Sequence, residues 1–245
     1  MNKENILSKI SKMFKEELKN LAWNTSDVEI LNILAVNANY EVRCTVAESK
    51  NTPVELLAVL AKDEDYDVRT AVAANGNTPA NILTMLAKDK DGDVRIAVAN
   101  NRNTSVDVLV MLGSDKTWWV RSAVAGNINT PIELLSVLAQ DEHRFVRQTV
   151  AKNENTPKET LAVLADDCDL GVRQNVAGNK NAPKEALVKL AGDRDYGVRK
   201  AVVNNPNTSY NTLLMLSKVK AVEIREKAKE VLKERALKAN TNKER

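Results

Sequence analysis

The chain is poor in most residue types that carry chemistry. Its 245 residues include one His, His143, and two Cys, Cys44 and Cys168. That scarcity removes most metal sites and His-based catalytic constellations, and no cofactor is expected. Two thiols 124 residues apart make no disulfide framework, so a stapled secreted domain is excluded. Repeat layers about 8–10 Å thick would hold them about 40–50 Å apart, too far for one metal site or a disulfide. Only 8 Gly occur, and there is no phosphate loop, dinucleotide fingerprint or nucleophile elbow. The longest apolar run, Leu56 to Ala61, is far short of the roughly 18 residues of a membrane span. The start, Met1-Asn2-Lys3-Glu4, lacks the apolar core of a signal peptide. The expected setting is the reducing cytoplasm, away from membranes. A net charge of +3 excludes both a strongly basic nucleic-acid protein and an acidic disordered chain. Aromatics are 4% of a chain that is 43% hydrophobic. Its core must therefore be built from Leu, Val, Ile and Ala, in thin layers of small helices.

What the chain has is a period. Val-Arg pairs stand at Val42-Arg43, Val68-Arg69, Val94-Arg95, Val120-Arg121, Val146-Arg147, Val172-Arg173 and Val198-Arg199, with Ile224-Arg225 as the eighth. Every step is 26 residues. Asn recurs in the same register from Asn51 to Asn207, and Leu from Leu34 to Leu216. Three columns in one register define a tandem array. Residues 1–25 then read as an N-terminal capping helix, 26–233 as eight repeats, and 234–245 as the C-terminal helix end with a frayed tail.

Residues 51–76 serve as the example. Thr52-Pro53-Val54-Glu55 reads as a helix start, with Thr52 as N-cap, Pro53 at the first helical position and Glu55 completing a capping box. Ser26 and Glu29 supply the same signal in the first unit. Leu56, Leu57, Leu60 and Ala61 cover one face of a helix about ten residues long. Asp65 is a second N-cap, for a shorter helix over Tyr66 to Ala74 that buries Val68, Ala71 and Val72. Asn75-Gly76-Asn77 ends it through left-handed backbone. Neither helix reaches the 12–15 residues at which isolated helices become marginal, so stacking must bury both faces. At the ends, residues 4–22 read as one amphipathic helix through Ile6, Ile10, Met13, Leu18 and Leu21. The last helix runs on from Ala221 to Ala239, with Glu223 and Lys227 spaced as an i,i+4 pair. Two distinct polar ends predict a monomer rather than end-to-end stacking.

The segment Asp167 to Leu187, D-C-D-L-G-V-R-Q-N-V-A-G-N-K-N-A-P-K-E-A-L, resembles the leucine-rich repeat variant family. Units of that family carry D-x-D-x-x-V-R-x-x-V-A-x-N-x-x-T-P-x-x-L-L. The match covers all eight units. It implies an all-α, right-handed superhelical solenoid alternating α-helices with short, often 3₁₀, helices. HEAT-like repeats are the nearest alternative, with similar Val-Arg and Asp signals on longer helices. Some members of the family bind iron and sulfur through an N-terminal cysteine cluster. No cysteine precedes Cys44, so that property is not carried over. The resemblance is not tied to one activity.

Arg69, Arg95, Arg121, Arg147, Arg173 and Arg199 form the most regular charged column. They read as structural, with Asp63, Asp89, Asp115, Asp141, Asp167 and Asp193 as partners in adjacent repeats, rather than as a ladder for phosphates. Columns that vary between repeats carry more information about function. A helical wheel puts three of them opposite the Val face. The first is Tyr40, Tyr66, Gly92, Trp118, Arg144, Leu170 and Tyr196. The second is Cys44, Thr70, Ile96, Ser122, Gln148, Gln174 and Lys200. The third is Glu48, Ala74, Asn100, Gly126, Lys152, Gly178 and Asn204. Exposed rings among small and polar residues suit a binding surface. Trp119 and Phe145 directly precede core Val residues and read as packing. His143 reads as a solvated turn residue, and Cys168 as an exposed free thiol. Residues 181–245 carry 15 basic and 8 acidic residues, whereas 51–76 carry 2 and 5.

The sequence thus predicts a non-enzymatic scaffold that binds a protein or extended peptide through Tyr40, Tyr66, Trp118, Arg144, Gln148, Gln174 and Tyr196. The alternative is a nucleic-acid-binding solenoid acting on a damaged base in the manner of HEAT-like repair proteins, with Trp118, Trp119 and Asp115 at the lesion. Weak net charge opposes it, because phosphate contacts dominate such affinity.

Overall fold

The computed structural model describes residues 3–241, and they form 18 α-helices with no strand among them. Contacts group the chain into two compact units, Met1–Thr130 and Pro131–Arg245. The first unit opens with α1 (Lys3–Ile10) and α2 (Lys15–Asn24). It continues with the pairs α3 (Val28–Leu34) and α4 (Tyr40–Glu48), α5 (Val54–Leu60) and α6 (Tyr66–Ala74), α7 (Ala80–Leu86) and α8 (Gly92–Asn100), and α9 (Val106–Leu112) and α10 (Trp118–Gly126). The second unit holds α11 (Ile132–Leu138) and α12 (Arg144–Lys152), α13 (Lys158–Leu164) and α14 (Leu170–Gly178), α15 (Lys184–Leu190) and α16 (Tyr196–Asn204), then α17 (Tyr210–Leu216) and the long α18 (Val222–Thr241).

Each of the first seven repeats is an odd helix of seven residues followed by an even helix of nine, and the eighth closes on the 20-residue α18. The expected lengths are therefore reversed, and both elements are α-helical. Both close on a tighter turn, with Asp63 N donating to Leu60 O at 3.0 Å after an odd helix and Asn101 N to Val98 O at 3.1 Å after an even one. In each unit the even helices stack directly on one another, while the odd helices chiefly touch the even helices beside them. The core is the predicted set of columns. Leu57, Leu83, Leu109, Leu161 and Leu187 and their Val partners Val68, Val94, Val172 and Val198 are all fully buried.

Polar ladders tie one repeat to the next. The Arg69 guanidinium binds Asp89 of the following repeat through Nε at 2.6 Å and Nη2 at 3.0 Å. Its Nη1 donates to Asp63 O and Glu64 O in its own turn. Arg43–Asp63, Arg95–Asp115, Arg147–Asp167 and Arg173–Asp193 repeat the arrangement. Arg121 gives Nη1 to Asp115 O. Arg199 keeps the backbone bonds to Asp193 O and Arg194 O, but Val219 stands where the next Asp would be. A second ladder is made of buried Asn. Asn75 Nδ2 donates to Ala47 O and Ser49 O, and Asn101, Asn127, Asn179 and Asn205 do the same one repeat apart. These bonds satisfy carbonyls that a helix end leaves orphaned.

Three expectations about the helix ends are corrected. Thr52 is not an N-cap. Its buried hydroxyl turns back to donate to Val46 O, and Pro53 takes the cap position with no side-chain bond. A buried hydroxyl is costly to leave unpaired, and the last carbonyls of the preceding helix are within its reach. In the first unit Asp27, not Ser26, caps α3, accepting from Glu29 N and Ile30 N. The even helices do not end in left-handed backbone. Asn75 is extended, at φ −65° and ψ 124°, and no described residue has a positive φ. The Asn ladder takes over the carbonyls that a left-handed turn would otherwise satisfy.

The single N-terminal helix is two helices, α1 and α2. Ser11 Oγ returns to Ser8 O, and Glu17 holds the Phe14 N–H at 2.8 Å, so the chain restarts there. At the other end α18 runs to Thr241, and residues 242–245 of the expected tail lie outside the described residues. Glu223 pairs with Lys200 at 2.7 Å and Lys227 with Glu230 at 3.0 Å, not with each other.

Candidate interaction surface

The variable columns lie on the even helices, in the layer that packs most closely. In the first unit Tyr40 and Tyr66 begin α4 and α6, and both rings are exposed. Asn39 and Asp65 cap those helices by accepting from the backbone of Glu41 and Asp67, which fixes where the first side chain emerges. Trp118 begins α10, half-buried, and stacks on Trp119 with ring centres 5.3 Å apart. The second and third columns line open furrows between even helices. One, about 430 Å³, includes Tyr40, Cys44, Glu48, Asp67, Thr70 and Ala74. The next, about 390 Å³, includes Thr70, Ala74, Asp93, Ile96 and Asn100.

In the second unit Arg144 is exposed, with its guanidinium 5.0 Å from the Phe145 ring centre. Gln148 is half-buried and committed: Nε2 binds Asp169 at 2.7 Å, and the amide lies over Gly171, where a Cβ would come within 2.5 Å of it. That glycine is required for close approach. Gln174 is exposed beside Gly197. Tyr196 meets Lys200 and Glu223 around a smaller furrow of about 170 Å³ between α16 and α18. The Glu223 hydrogen bond raises the Tyr196 hydroxyl pKa, with burial adding to it, and Lys200 and Tyr196 lower that of Glu223.

Two rings are placed differently from expectation. Trp119 is 55% exposed and Phe145 is exposed too, so neither packs in the core. Their column otherwise reads Glu41, Asp67, Asp93, Gly171 and Gly197. That polar company was the signal that could have revealed them. His143 is half-buried rather than solvated, with its ring 5.5 Å from that of Phe145. Cys168 is exposed and free as expected, while Cys44 is half-buried. Burial, with Asp67, Glu48 and Asp65 adding to it, pushes the Cys44 thiol up to about 12, which makes it inert. The chain does not supply the cysteines of an iron–sulfur cluster, and no three His, Cys, Asp or Glu side chains group for a metal among the described residues. No described helix is long and apolar enough to cross a membrane. Asp115, the carboxylate of the base-repair alternative, is committed to Arg95 and to the Thr117 N–H.

The odd row also exposes an apolar column, including Val59, Met85, Met111, Val137 and Val163. This one column stays apolar in every repeat but that of Lys189, whereas the outward columns of the even row change character.

Stacked helix pairs, paired Arg–Asp rungs and a variable even row define a helical repeat solenoid. Among solved structures the chain is similar to a leucine-rich repeat variant described as having a novel repetitive structural motif. Identity is 30%, over 90% of this chain and 84% of that one, with a TM-score of 0.62. The chain belongs to the leucine-rich repeat variant family. Looser likenesses reach the archaeal HEAT-like repeats protein from Thermococcus onnurineus NA1, at 16% identity over 90% of this chain and 96% of that one, TM-score 0.34. They also reach computationally designed armadillo repeat proteins for modular peptide recognition, at 14% identity over 94% and 98%, TM-score 0.23. Both are too distant to bear on site or partner. No protein-family model and no curated protein matches the chain.

Proposed function

We propose that the chain is a non-enzymatic, monomeric scaffold of the reducing cytoplasm that holds a protein or extended peptide along its even helices. One observation carries this reading. The ladder and core columns keep their residue types from repeat to repeat, while the outward even-row columns change and gather the exposed Tyr40, Tyr66, Arg144, Gln174 and Tyr196 and the half-buried Trp118. Uniform columns serve stacking; changing ones serve recognition. Gln148 contributes by positioning the Asp169 turn rather than as a free contact.

The test is selection of a random displayed peptide library on the protein. A selected peptide is then titrated calorimetrically against wild type and Trp118→Ala, with melting curves to confirm folding. Aromatic anchors at interfaces cost about 2 kcal/mol or more on truncation, so an affinity loss on the order of thirtyfold is expected. Failure to enrich any peptide would overturn the reading. An unchanged affinity would remove Trp118 from the site.

A further inference from the structure

The furrows of the first unit share one sign of charge. Glu48 and Asp67 line the furrow between α4 and α6, and Asp93 lines the next. Asp65 and Asp91 cap the adjoining helices. Among the lining residues the one cation, Lys19, is held by Glu41 at 3.4 Å. Arg69 and Arg95, on the same helices, are committed to Asp89 and Asp115. The carboxylates are therefore not neutralised within the row.

Two neighbours register the resulting field. The Tyr66 hydroxyl is raised chiefly by Asp67, then by burial and by Asp91, Asp93 and Asp65. The Cys44 thiol responds to Asp67 and Glu48 after burial. The furrow floors are small or apolar, with Ala71 and Ala74 in one and Ala97 and Ile96 in the other. Thr70 Oγ1, on the ridge between them, is the one buried hydroxyl without a hydrogen-bond partner among the described residues.

We propose that the even row of the first unit docks an extended basic segment, with Lys or Arg side chains entering the furrows between α4, α6 and α8. A long cationic side chain suits such a furrow. Its methylenes lie on the Ala and Ile floor, and its charged head meets Glu48, Asp67 or Asp93 at the mouth. The exposed Tyr66 ring adds a face for a cation. The occupant is a basic peptide rather than a nucleic acid, because phosphates would be repelled from this row. The inference rests on the scaffold reading and names its partner class.

The probe is a fluorescein-labelled peptide of alternating Arg and Ser, followed by anisotropy. A counterpart carries Glu in place of Arg. The variants are Asp67→Asn with Asp93→Asn on the furrows, and Glu55→Gln with Asp107→Asn on odd helices α5 and α9, which remove the same charge elsewhere. The Arg probe should bind, weaken about tenfold with the furrow variant, stay unchanged with the odd-row variant, and lose affinity as salt rises. Equal weakening by both variants would reduce the effect to net charge and overturn the inference. A preference for the Glu probe, lost with Trp118→Ala, would also overturn it while leaving the scaffold reading in place. No binding of either probe, together with no library peptide enriched, would overturn both.

Discussion

Helices α6 and α16 occupy the same place in their repeats and begin with the same residue, Tyr66 and Tyr196. Both carry Val-Arg two residues on, and both bury that Val completely. They differ in what surrounds the shared frame. Asp67, Thr70 and Ala74 of α6 become Gly197, Lys200 and Asn204 in α16. Arg69 is buried and bonded to Asp89, whereas Arg199 is only half-buried, and the position that would supply its Asp is Val219. The frame is thus separable from the surface it displays. A rung needs its partner in the next repeat, and where the array ends the rung ends with it.

The C-terminal end replaces what it loses. In the interior, Asn101 and Asn103 reach Asn75 O, Gly76 O and Thr78 O of the preceding turn. The corresponding carbonyls of the last turn, Asn205 O, Pro206 O and Thr208 O, accept from Arg235 on α18. One guanidinium stands in for two absent asparagines, which a helix of the ordinary nine residues could not have provided.

Three substitutions act on this contrast. The largest effect is expected from Asp89→Asn, which leaves Arg69 as Arg199 is. Removing one partner of a mostly buried, charge-assisted pair should cost about 2–3 kcal/mol at neutral pH, read by urea unfolding. Its pH dependence follows from the pair. Burial pushes the Asp89 carboxyl up, but the Arg69 bond, the Asp91 N–H and the Arg69 charge together hold it below its ordinary 3.8. Its contribution is therefore complete above that value, and is lost as pH falls below 3.8 and through the folded-state value. Wild type should lose more stability than Asp89→Asn on acidification through this range. Parallel curves would contradict the rung.

A smaller loss, about 1–2 kcal/mol, is expected for Arg235→Ala, because it leaves three carbonyls of the last turn without their donor. Hydrogen exchange should quicken in α17 and α18 and stay unchanged in the first unit. The smallest effect is a gain. Val219 N bonds Leu216 O as Asp193 N bonds Leu190 O, so the turn is already shaped for a carboxylate. Val219→Asp should extend the ladder to Arg199 and add about 0.5–1 kcal/mol. A loss of stability would show that Val219 is needed for packing.

Much of this architecture was legible in the sequence because stacking demands the same residue at the same place. The Leu and Val columns, the bounds Tyr66–Ala74, the Asp65 cap and the Arg–Asp rungs all follow from period and chemistry. The misreadings arose where one residue can serve two ends. The Thr of Thr-Pro can cap the helix ahead or close the helix behind, and Pro suits both the cap and the first turn. Asn can turn left-handed, or stay extended and spend its amide on a neighbouring repeat, and only the stack decides. Of the candidate surface, the exposed Tyr positions could be read, and the polar column around Trp119 pointed outward too, but the commitment of Gln148 depends on Asp169 in the next repeat.

The central claim is that the variable even-row columns, not the apolar odd-row column of Val59, Met111 and Val163, form the recognition face. Titrating one library-selected peptide against two triple variants tests it most directly. One is Tyr66→Ala with Trp118→Ala and Tyr196→Ala; the other is Val59→Ser with Met111→Ser and Val163→Ser. The account predicts at least about a tenfold loss of affinity in the first and none in the second. Loss in the odd-row variant with retention in the even-row variant would contradict it.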